Sequence, residues 1–568
     1  MITKKLETLI REALKKMGIE SSEIKLERPE DASHGDYATN VALACAKTQK
    51  IAPKQFAEKL VAELLNAPHE GIEKIEIAGP GFINFFFDDA YFSKSLEDAL
   101  GAGDKWGTNA TLKNKKVLVE YTDPNILKEF HIGHLMSNTI GESIACIMET
   151  TGAEVKRACY QGDVGMHVAC AIWGIIDLKK DGSAEPMNSK FLGKAYARGA
   201  TASKENENAK KEIIEINKKI YTRSDEKINK LYDLGRQVSL DDFEGKYKKL
   251  GMKTRLNGKS FDFYFFESKT WEFGKKIVLD NPKIFEKSDG AIIYKGDESK
   301  GLHTRVFINS EGIPTYEAKD LGLSKIKYET YPYEISIVVT ANEQKEYFRV
   351  VLDAMAKVSP ELAKKTEHYS HGMLRLPTGK MSSRTGDVVT AEALLRDVKG
   401  LAIGKIKDSN FSSEEKNDIA EKVALGAIKY SILRQSSGKD IIFDFEKSLS
   451  FEGDSGPYLQ YSYARARSLL EKASGKKIDV TNYKEISPLH KYIVRFPEVV
   501  LRAGETRQSH YITTYLIDLA REFNSFYGNT LVLDGSPDEA YKLALVKATS
   551  QTLKNGLELL GIPVPERM

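Results

Sequence analysis

Between Lys115 and Tyr160 the chain alternates strand, helix and strand, and this alternation constrains the fold more than any other feature. The run KKVLVEY reads as a continuous apolar strand, TDPNILKEF as a loop, and HIGHLMSNTIGESIACIMETTG as an amphipathic helix that stops at Gly152. The run EVKRACY reads as the next strand. This order predicts a parallel sheet of the doubly wound type, in which ligands bind at the carboxyl ends of the strands.

Two histidines, His131 and His134, stand at the start of the predicted helix, above the end of the first strand. Histidines three residues apart are often ordinary helix-surface residues, so this pair alone does not indicate a site. A glycine-flanked loop far downstream, LPTGKMSSRTGDVVT, offers Lys380 and Arg384 beside serine hydroxyls that can bind phosphate oxygens. The loop follows a second buried strand, ISIVVT, as the histidines follow the first, and this parallel favours a phosphate site over a simple turn.

The 568 residues are too many for one core, and about 150 residues per domain predict three or four units. We predict a small α/β domain at 1–108, a catalytic α/β domain at 112–403 with an insertion at about 176–290, and a helical bundle at 404–568. In the first domain, the tripeptide Gly79-Pro80-Gly81 within KIEIAGPGFINFFF indicates a bulge or turn between two strands. A capping box from Ser412 to Glu415 starts the bundle.

Composition excludes several classes of protein. A net charge of +3 gives little bulk attraction to polyanions, so any nucleic-acid surface must come from local clusters of Lys and Arg. The four cysteines lack C-x-x-C spacing, which argues against a zinc knuckle or redox pair and fits a reducing compartment. The N-terminal helix carries acids, unlike a transit peptide, and no apolar run approaches the roughly 18 residues of a membrane span. We expect a cytoplasmic protein without a membrane segment.

HIGH at 131–134 and KMSSR at 380–384, in this order, resemble the two signatures of class I aminoacyl-tRNA synthetases. Within that class the chain resembles the arginyl family over essentially its whole length. GDYATNVALACAK and GPGFINFFF are similar to its N-terminal domain, VEYTDPNILKEFHIGHL to its first signature, FEGDSGPYLQYSYARARS to the start of its anticodon-binding bundle, and PVPERM to its C-terminus. Ser383 stands where the second lysine of the loop is usual.

The resemblance implies a Rossmann-type parallel-sheet core with insertions, a small N-terminal α/β domain and a C-terminal all-helical anticodon-binding bundle. It implies a ligase that activates L-arginine with ATP, with Mg²⁺ bound to the ATP, and transfers it to the 3′ end of tRNA(Arg). The family is usually monomeric and usually needs tRNA before it activates arginine. It implies no resident protein-bound metal.

For ATP, the resemblance implies that His131 and His134 aim donors at the phosphate oxygens and that Gly133 lets adenine pack on bare backbone. Lys128, Lys380 and Arg384 would neutralise the triphosphate and the departing pyrophosphate. The remaining residues expected around ATP are His371, Gly372, Met373 and Ser382. His371 could equally be a packed core residue, and the division of labour between Lys128 and Lys380 is open.

For arginine, the resemblance implies that Asp320 and Glu120 read the guanidinium, because a planar cation is best met by carboxylates. Asn125 and Gln344 would hold the α-amino end, and Tyr316 would complete the pocket. Without the family match, Asp320 and Glu120 would be read as an ordinary salt bridge or helix cap.

For tRNA, exposed aromatic side chains beside cations are the expected signal, because unpaired bases are bound by stacking. The candidates for the anticodon are Tyr458, Tyr461, Arg465, Tyr527 and Met568, and those for the tRNA elbow are Phe82 and Asn84. Aromatic residues at helical spacing are often core residues, and that alternative stays open for each tyrosine.

Three alternatives remain at this stage. One is another class I synthetase of the glutamyl, cysteinyl or lysyl type, which the acidic pocket and the absence of a metal-type cysteine pattern disfavour. Another is a synthetase-like RNA-binding protein without activation chemistry, which the presence of His131, His134 and Lys380 disfavours. The third is a non-tRNA nucleotidyltransferase, a class that is usually shorter and lacks a helical domain.

Overall fold

The structure is a computed structural model that describes residues 2–20, 23–29, 31–66, 68–376, 389–406, 411–481, 483 and 485–568. The chain divides into two compact units. The first comprises Met1–Thr108, Ser462–Arg502 and Asp518–Asn555, and the second comprises Asn109–Tyr461, Ala503–Ile517 and Gly556–Met568. None of the helices in the described ranges is both long and apolar enough to cross a membrane.

The N-terminal region of the first unit is an antiparallel sheet covered by helices. Its elements are α1 (Ile2–Lys16), β1 (Leu26–Glu27), β2 (Tyr37–Thr39), α2 (Val41–Gln49), α3 (Pro53–Leu65), β3 (Ile72–Ala78), β4 (Phe82–Phe87) and α4 (Asp89–Ala102). The strand order is β1-β2-β4-β3. The predicted turn between β3 and β4 is confirmed, because Gly79 and Gly81 have φ of +50° and +136°, which glycine adopts without strain. Helix α4, capped by Asp88, was not anticipated from the sequence.

The second unit is built on a parallel sheet. Its first elements in chain order are β5 (Lys116–Glu120), α5 (Ile132–Thr150), β6 (Glu154–Gln161), α6 (Met166–Lys180), α7 (Ser189–Glu205), α8 (Glu207–Thr222), α9 (Glu226–Lys249), β7 (Phe263–Phe266), α10 (Glu267–Asp280), β8 (Glu286–Ser288), β9 (Ala291–Tyr294) and β10 (Arg305–Ile308). They continue with α11 (Tyr316–Thr330), β11 (Ile335–Ala341), α12 (Lys345–Val358), α13 (Pro360–Lys365), β12 (Thr366–His371), β13 (Leu374–Arg375), α14 (Ala391–Lys405), α15 (Ser413–Leu433), β14 (Ile441–Ile442) and α16 (Phe445–Ser448).

The central sheet has the order β12-β11-β5-β6-β7, and every neighbouring pair in it is parallel. This arrangement confirms the predicted doubly wound sheet and the strands at 115–121, 154–160 and 335–340. The range 176–290, which we predicted as an insertion, is not wholly outside the sheet, because β7 pairs with β6 through Ala158 and Phe263. Strand β7 has only four residues and lies next to long charged helices in the sequence, so its pattern of side chains is too short to be detected from the sequence.

The C-terminal part of the chain is helical. Its elements after α16 are α17 (Gly456–Lys472), α18 (Pro488–Ile493), α19 (Phe496–Thr506), α20 (His510–Asn529) and α21 (Glu539–Leu559). The predicted capping box is confirmed at the start of α15, where Ser412 Oγ accepts from Glu415 N at 3.2 Å and Glu415 Oε2 accepts from Ser412 N at 2.8 Å. The segment 487–505 forms two helices rather than one, because Pro497 lacks an N–H and fits only the first turn of α19.

Candidate active site

Helix α5 begins with a reciprocal cap made by the two histidines. His131 is the N-cap residue, and its Nδ1 accepts from Gly133 N at 3.1 Å. His134 Nδ1 accepts from His131 N at 3.3 Å. The two rings stack with centroids 3.7 Å apart. Histidine therefore does here what Ser and Glu do in a common capping box, and the first turn of α5 is held by its own side chains.

The caps set the chemistry of both rings. Burial lowers the pKa of His131 and of His134 below the ordinary histidine value, and the nearby charge of Lys128 lowers both further. Both rings are therefore neutral near pH 7, and because each Nδ1 accepts, the ring proton lies on Nε2. Two Nε2–H donors thus stand at the positive end of a 19-residue helix, an arrangement suited to phosphate oxygens.

The glycine between the histidines serves their packing. A Cβ added at Gly133 would lie 2.9 Å from Cε1 of His131, closer than carbon atoms normally approach. Lys128, on the loop before α5, places Nζ 4.3 Å from the centroid of the Tyr196 ring. This cation–π contact holds a positive charge near the start of α5.

The loop from β5 to α5 has a strained backbone. Three of its residues that are not glycine, Thr122, Asp123 and Leu127, have φ of +81°, +44° and +59°. The strain is held in place by Ser137 of α5, which accepts from Thr122 N at 3.0 Å and donates to Val339 O of β11 at 3.0 Å. Strained backbone of this kind is concentrated at functional sites.

The chain from Val389 to Ala391 pairs with the start of α5. Residues 377–388 lie outside the described residues, and with them Lys380, Ser382 and Arg384. The backbone that follows pairs directly with the start of α5: Ile132 N donates to Val389 O at 3.1 Å, and Ala391 N donates to Phe130 O at 3.1 Å. The C-terminal end of the predicted phosphate loop is therefore anchored beside His131.

Carboxylates gather at the ends of β5 and β6. Glu120, the last residue of β5, is 3% exposed and pairs with Lys327 of α11 at 2.9 Å. Asp320, two helical turns before Lys327, accepts from Tyr347 Oη at 2.6 Å. The pKa of Asp320 is raised to about 7, mainly by burial and also by the charge of Glu120, while the Tyr347 hydroxyl opposes the rise. This cluster therefore holds a carboxylate that would gain from a cation.

Asp123 is a third carboxylate here, and the sequence analysis missed it. Its Oδ1 accepts from Tyr160 N at 2.7 Å. Burial raises its pKa well above the ordinary aspartate value, and the charges of Glu120 and Asp320 raise it further. The available signal was an acidic residue three positions after a strand end and directly before a proline.

The other residues expected around arginine lie on different elements. Asn125 forms a bridge with Gly162 after β6, and a Cβ at Gly162 would come within 2.2 Å of Asn125 Oδ1. Tyr316 is exposed at the start of α11, with Lys319 Nζ 4.9 Å from its ring centroid. Gln344 is exposed just before α12. The structure thus places Asp320 near the Glu120–Lys327 pair, close enough for their charges to interact, and places the three others on neighbouring loops and helix ends.

The residues expected around adenine close the end of β12. His371 is 3% exposed, and its Nδ1 lies 2.7 Å from Gly372 O. A Cβ at Gly372 would lie 2.1 Å from Lys439 O, so the glycine permits a close backbone approach. Met373 N donates to Asp440 Oδ1 at 2.9 Å. These contacts fix the segment in the fold whether or not it also faces a ligand.

The RNA candidates differ in exposure. Phe82 is 38% exposed, whereas Asn84 on the same strand is only 4% exposed. In the first unit, Arg465 lies over the Tyr527 ring at 5.1 Å and also donates to Asn524. In the second unit, the partly buried candidates are Tyr458, Tyr461 and Met568. The structure therefore pairs an arginine with an exposed aromatic ring at one of the predicted positions.

Comparisons with known proteins agree along the whole chain. The family described as "tRNA synthetases class I (R), catalytic domain" matches residues 95–445, "Arginyl tRNA synthetase N terminal domain" matches 4–87, and "DALR anticodon binding domain" matches 459–568. The arginine–tRNA ligase of Clostridium perfringens is 32% identical over 99% of this chain and 99% of its own length. That of Fusobacterium nucleatum is 32% identical over 94% and 93%.

A solved structure agrees with these matches. The arginyl-tRNA synthetase of Thermus thermophilus covers 100% of both chains at 27% identity with a TM-score of 0.82. That of Plasmodium falciparum, at 21% identity and a TM-score of 0.81 over 100% of this chain and 99% of its own, shares the fold. With the two signature segments and the domain order, these matches show that the chain belongs to the arginyl-tRNA synthetase family of class I.

Proposed function

We propose that this protein is an arginine–tRNA ligase. It joins the carboxylate of L-arginine to the α-phosphate of ATP, releasing pyrophosphate, and then transfers arginine to the 3′ end of tRNA(Arg), releasing AMP. The observation that carries the proposal is the pair of Nε2–H donors on His131 and His134 at a helix N-terminus, in the same unit as a carboxylate pocket at the strand ends. Charge that builds on the phosphoryl oxygens during attack is stabilised by such preorganised donors.

The pocket favours a cationic amino acid. Glu120 already has Lys327 as its cation, whereas Asp320 accepts from the neutral Tyr347 hydroxyl, so Asp320 gains more than Glu120 from an incoming guanidinium. We assign the guanidinium to Asp320, with Glu120 as the neighbouring negative charge, and the α-amino end to Asn125 and Gln344. Tyr316 completes the rim of this pocket.

ATP is bound between the start of α5 and the end of β12. Lys128 neutralises the phosphates from the β5–α5 loop, together with Lys380 and Arg384 of the downstream loop, and Ser382 adds a hydroxyl. Gly133, His371, Gly372 and Met373 frame the nucleotide. Mg²⁺ is bound through the ATP phosphates, in line with its preference for phosphate oxygens and water over an all-protein cage.

The RNA surface is assigned to both ends of the chain. Phe82 is exposed on β4 and is the proposed contact for the tRNA elbow. The side chain of Asn84 is buried, so Asn84 would affect this contact only by holding β4 in place. Tyr527 with Arg465 supports the anticodon assignment, together with Tyr458, Tyr461 and Met568. The proposal also includes domain boundaries at 108 and 403, tRNA-gated activation and a monomeric enzyme. It includes a cytoplasmic location, which is supported by the four cysteines because none of them forms a disulfide.

The test is arginine-dependent exchange of pyrophosphate into ATP, with and without tRNA(Arg), with lysine and glutamate in place of arginine as controls. Exchange with arginine and tRNA alone is the expected result. Exchange with arginine in the absence of tRNA would keep the ligase and overturn the gating. No exchange and no charging of tRNA under any condition would overturn the proposal in favour of an RNA-binding protein without activation chemistry.

A further inference from the structure

The chain leaves its last helix through a glycine cap. Gly561 has φ of +62°, its N–H donates to Glu558 O at 3.0 Å, and the N–H of Ile562 donates to Leu557 O at 2.9 Å. These two bonds are the Schellman motif, which satisfies two of the last carbonyls of a helix and leaves those after them open. The carbonyls of Leu559 and Gly561 therefore need other donors.

Side chains from three different helices supply donors to alternate carbonyls of this segment. Ser143 Oγ of α5 donates to Leu559 O at 3.0 Å, and Lys429 Nζ of α15 donates to Gly561 O at 2.6 Å. Gln460 Nε2 of α17 donates to Pro563 O at 2.7 Å. We call these three bonds the C-terminal clamp. All three donors and all three acceptors belong to the second unit.

The lysine of the clamp is buried at a cost. Lys429 is 1% exposed, and its Nζ donates to the carbonyl of Gly561 rather than to a carboxylate. Burial lowers its pKa to about 8, and the charge of Glu142 on α5 opposes that fall. A Cβ at Gly561 would lie 3.2 Å from Lys429 Nζ and 3.8 Å from Glu142 Cγ, so the three residues converge on one point. Methionine at position 429 would fill this volume without the cost of burying a charge. We therefore attribute the buried ammonium to the hydrogen bond that it donates to the carbonyl of Gly561.

The clamp reaches the active-site helix. Ser143 and Glu142 lie on α5, the helix whose first turn carries His131 and His134. Ser143 also shares a hydrogen bond of 2.8 Å with Ser509. A packed helix moves as a rigid body, so a shift of its C-terminal half also moves the histidines at its start.

We propose that Ser143, Lys429 and Gln460 are positioning residues, which tie the C-terminal segment Leu559–Pro563 to α5 and thereby set the position of His131 and His134. This inference rests on the proposed function, because Met568, the proposed anticodon contact, lies five residues beyond the clamp. RNA bound at the end of the chain then acts on the same segment that holds α5, and the clamp is a route by which tRNA gates activation of arginine.

The first experiment needs no activity. Hydrogen exchange of the full-length protein is compared for wild type, Lys429→Met, Ser143→Ala and the control Lys422→Met, which changes a partly exposed lysine of the same helix that pairs with Asp418. Lys429→Met removes a buried charge and is expected to leave the unfolding midpoint unchanged or raised. Its exchange should nevertheless rise in residues 557–563 and 132–147, and Ser143→Ala should do the same more weakly. Faster exchange in 557–563 with α5 unchanged would overturn the proposal.

The second experiment measures the coupling. Residues 564–568 are deleted in wild type and in Lys429→Met, and tRNA-dependent pyrophosphate exchange is measured at saturating tRNA. Deletion in wild type should lower kcat by about tenfold, the usual size of a coupling between sites, with the KM for arginine unchanged. Lys429→Met alone should already reduce kcat. Deletion of residues 564–568 in this variant should then lower kcat by less than about a further twofold. Fully multiplicative effects would overturn the proposal, as would wild-type kcat in both single variants.

The outcomes separate the two proposals. Absence of exchange of pyrophosphate in the wild type would end the proposed function, while the hydrogen-exchange comparison would still decide whether the clamp holds α5. If the wild type is active and the effects of the deletion and of Lys429→Met on kcat are fully multiplicative, the ligase function stands and the clamp has no role in gating.

Discussion

Lys327 Nζ lies 2.9 Å from Glu120 Oε2, with both side chains only 4% exposed, so the charge of Glu120 is compensated within the protein. Asp320 instead accepts a hydrogen bond from the hydroxyl of Tyr347, a neutral partner. One helix, α11, carries both Lys327 and Asp320, so the pair also fixes the orientation of Asp320.

The Glu120–Lys327 pair should be costly to break from one side. Lys327→Met or Glu120→Gln leaves a buried charge without its partner, and we expect either to lower the free energy of unfolding by about 3–5 kcal/mol. The double variant should recover most of that loss, because no unpaired charge remains. Urea unfolding followed by near-ultraviolet circular dichroism measures the difference. Single variants as stable as wild type would contradict this account of the pocket.

Arginine capture should depend on pH through Asp320. Its pKa of about 7 lies above the ordinary value, so in the free enzyme the carboxyl is neutral below about pH 7 and ionised above it. A neutral carboxyl cannot pair with guanidinium, so kcat/KM for arginine should fall about tenfold per pH unit below that point and level off above it. Because this pKa is higher in the folded protein than in the unfolded chain, the unfolded chain releases the proton first. The free energy of unfolding should therefore fall as the pH rises from about 4 to 7.

Asp320→Asn provides the control for this profile. It should have a much lower kcat/KM for arginine without the acidic limb. The kcat/KM for ATP at saturating arginine should also lack the limb, because bound arginine keeps Asp320 ionised. An unchanged acidic limb in Asp320→Asn would assign the titration to another group.

The capping role of His131 and His134 can be separated from their proposed role as donors to ATP. Asparagine keeps an oxygen that can accept the backbone N–H of the cap but has no donor where Nε2 stands. We expect His131→Asn and His134→Asn to retain the fold and to lower kcat for pyrophosphate exchange by about 100- to 1000-fold, the loss seen when one donor to a developing oxyanion is removed. Circular dichroism and steady-state kinetics check both parts. Variants that keep a third or more of wild-type kcat would rule out transition-state donation by that ring.

Tyr527 should contribute to RNA affinity through its ring. Its side chain is 40% exposed, and Arg465 covers one face. If a base stacks here, Tyr527→Ala removes about 1–3 kcal/mol and should raise the KM for tRNA(Arg) roughly 5- to 100-fold. Tyr527→Phe keeps the ring and should change the KM less than about twofold. Equal effects of the two variants would indicate that the hydroxyl or the packing of α20 matters instead.

Local patterns in the sequence were enough to predict the framework. The continuous apolar run of β5, the helically spaced apolar residues of α5 and the strand β6 are patterns of near neighbours in the chain, and the cap at Ser412 and the turn at Gly79 are local for the same reason. The two signature segments, read with their resemblance, also predicted the family. Weak local signals led to errors: α4 and the short edge strand β7 were missed.

The partners of buried side chains were decided only by the tertiary structure. Glu120 meets Lys327, Asp320 meets Tyr347, and Ser143 meets the carbonyl of Leu559, and the chain distance between each pair leaves no periodic signal. Burial was likewise decided by the fold, because Phe82 and Asn84 were both candidates for the tRNA elbow, and the sheet left Phe82 exposed and buried Asn84. The sequence by itself determined which elements form and which chemistry they carry, since both follow from residues close together in the chain. Only folding determined which charges are compensated, because that depends on which distant side chains share a dry interior.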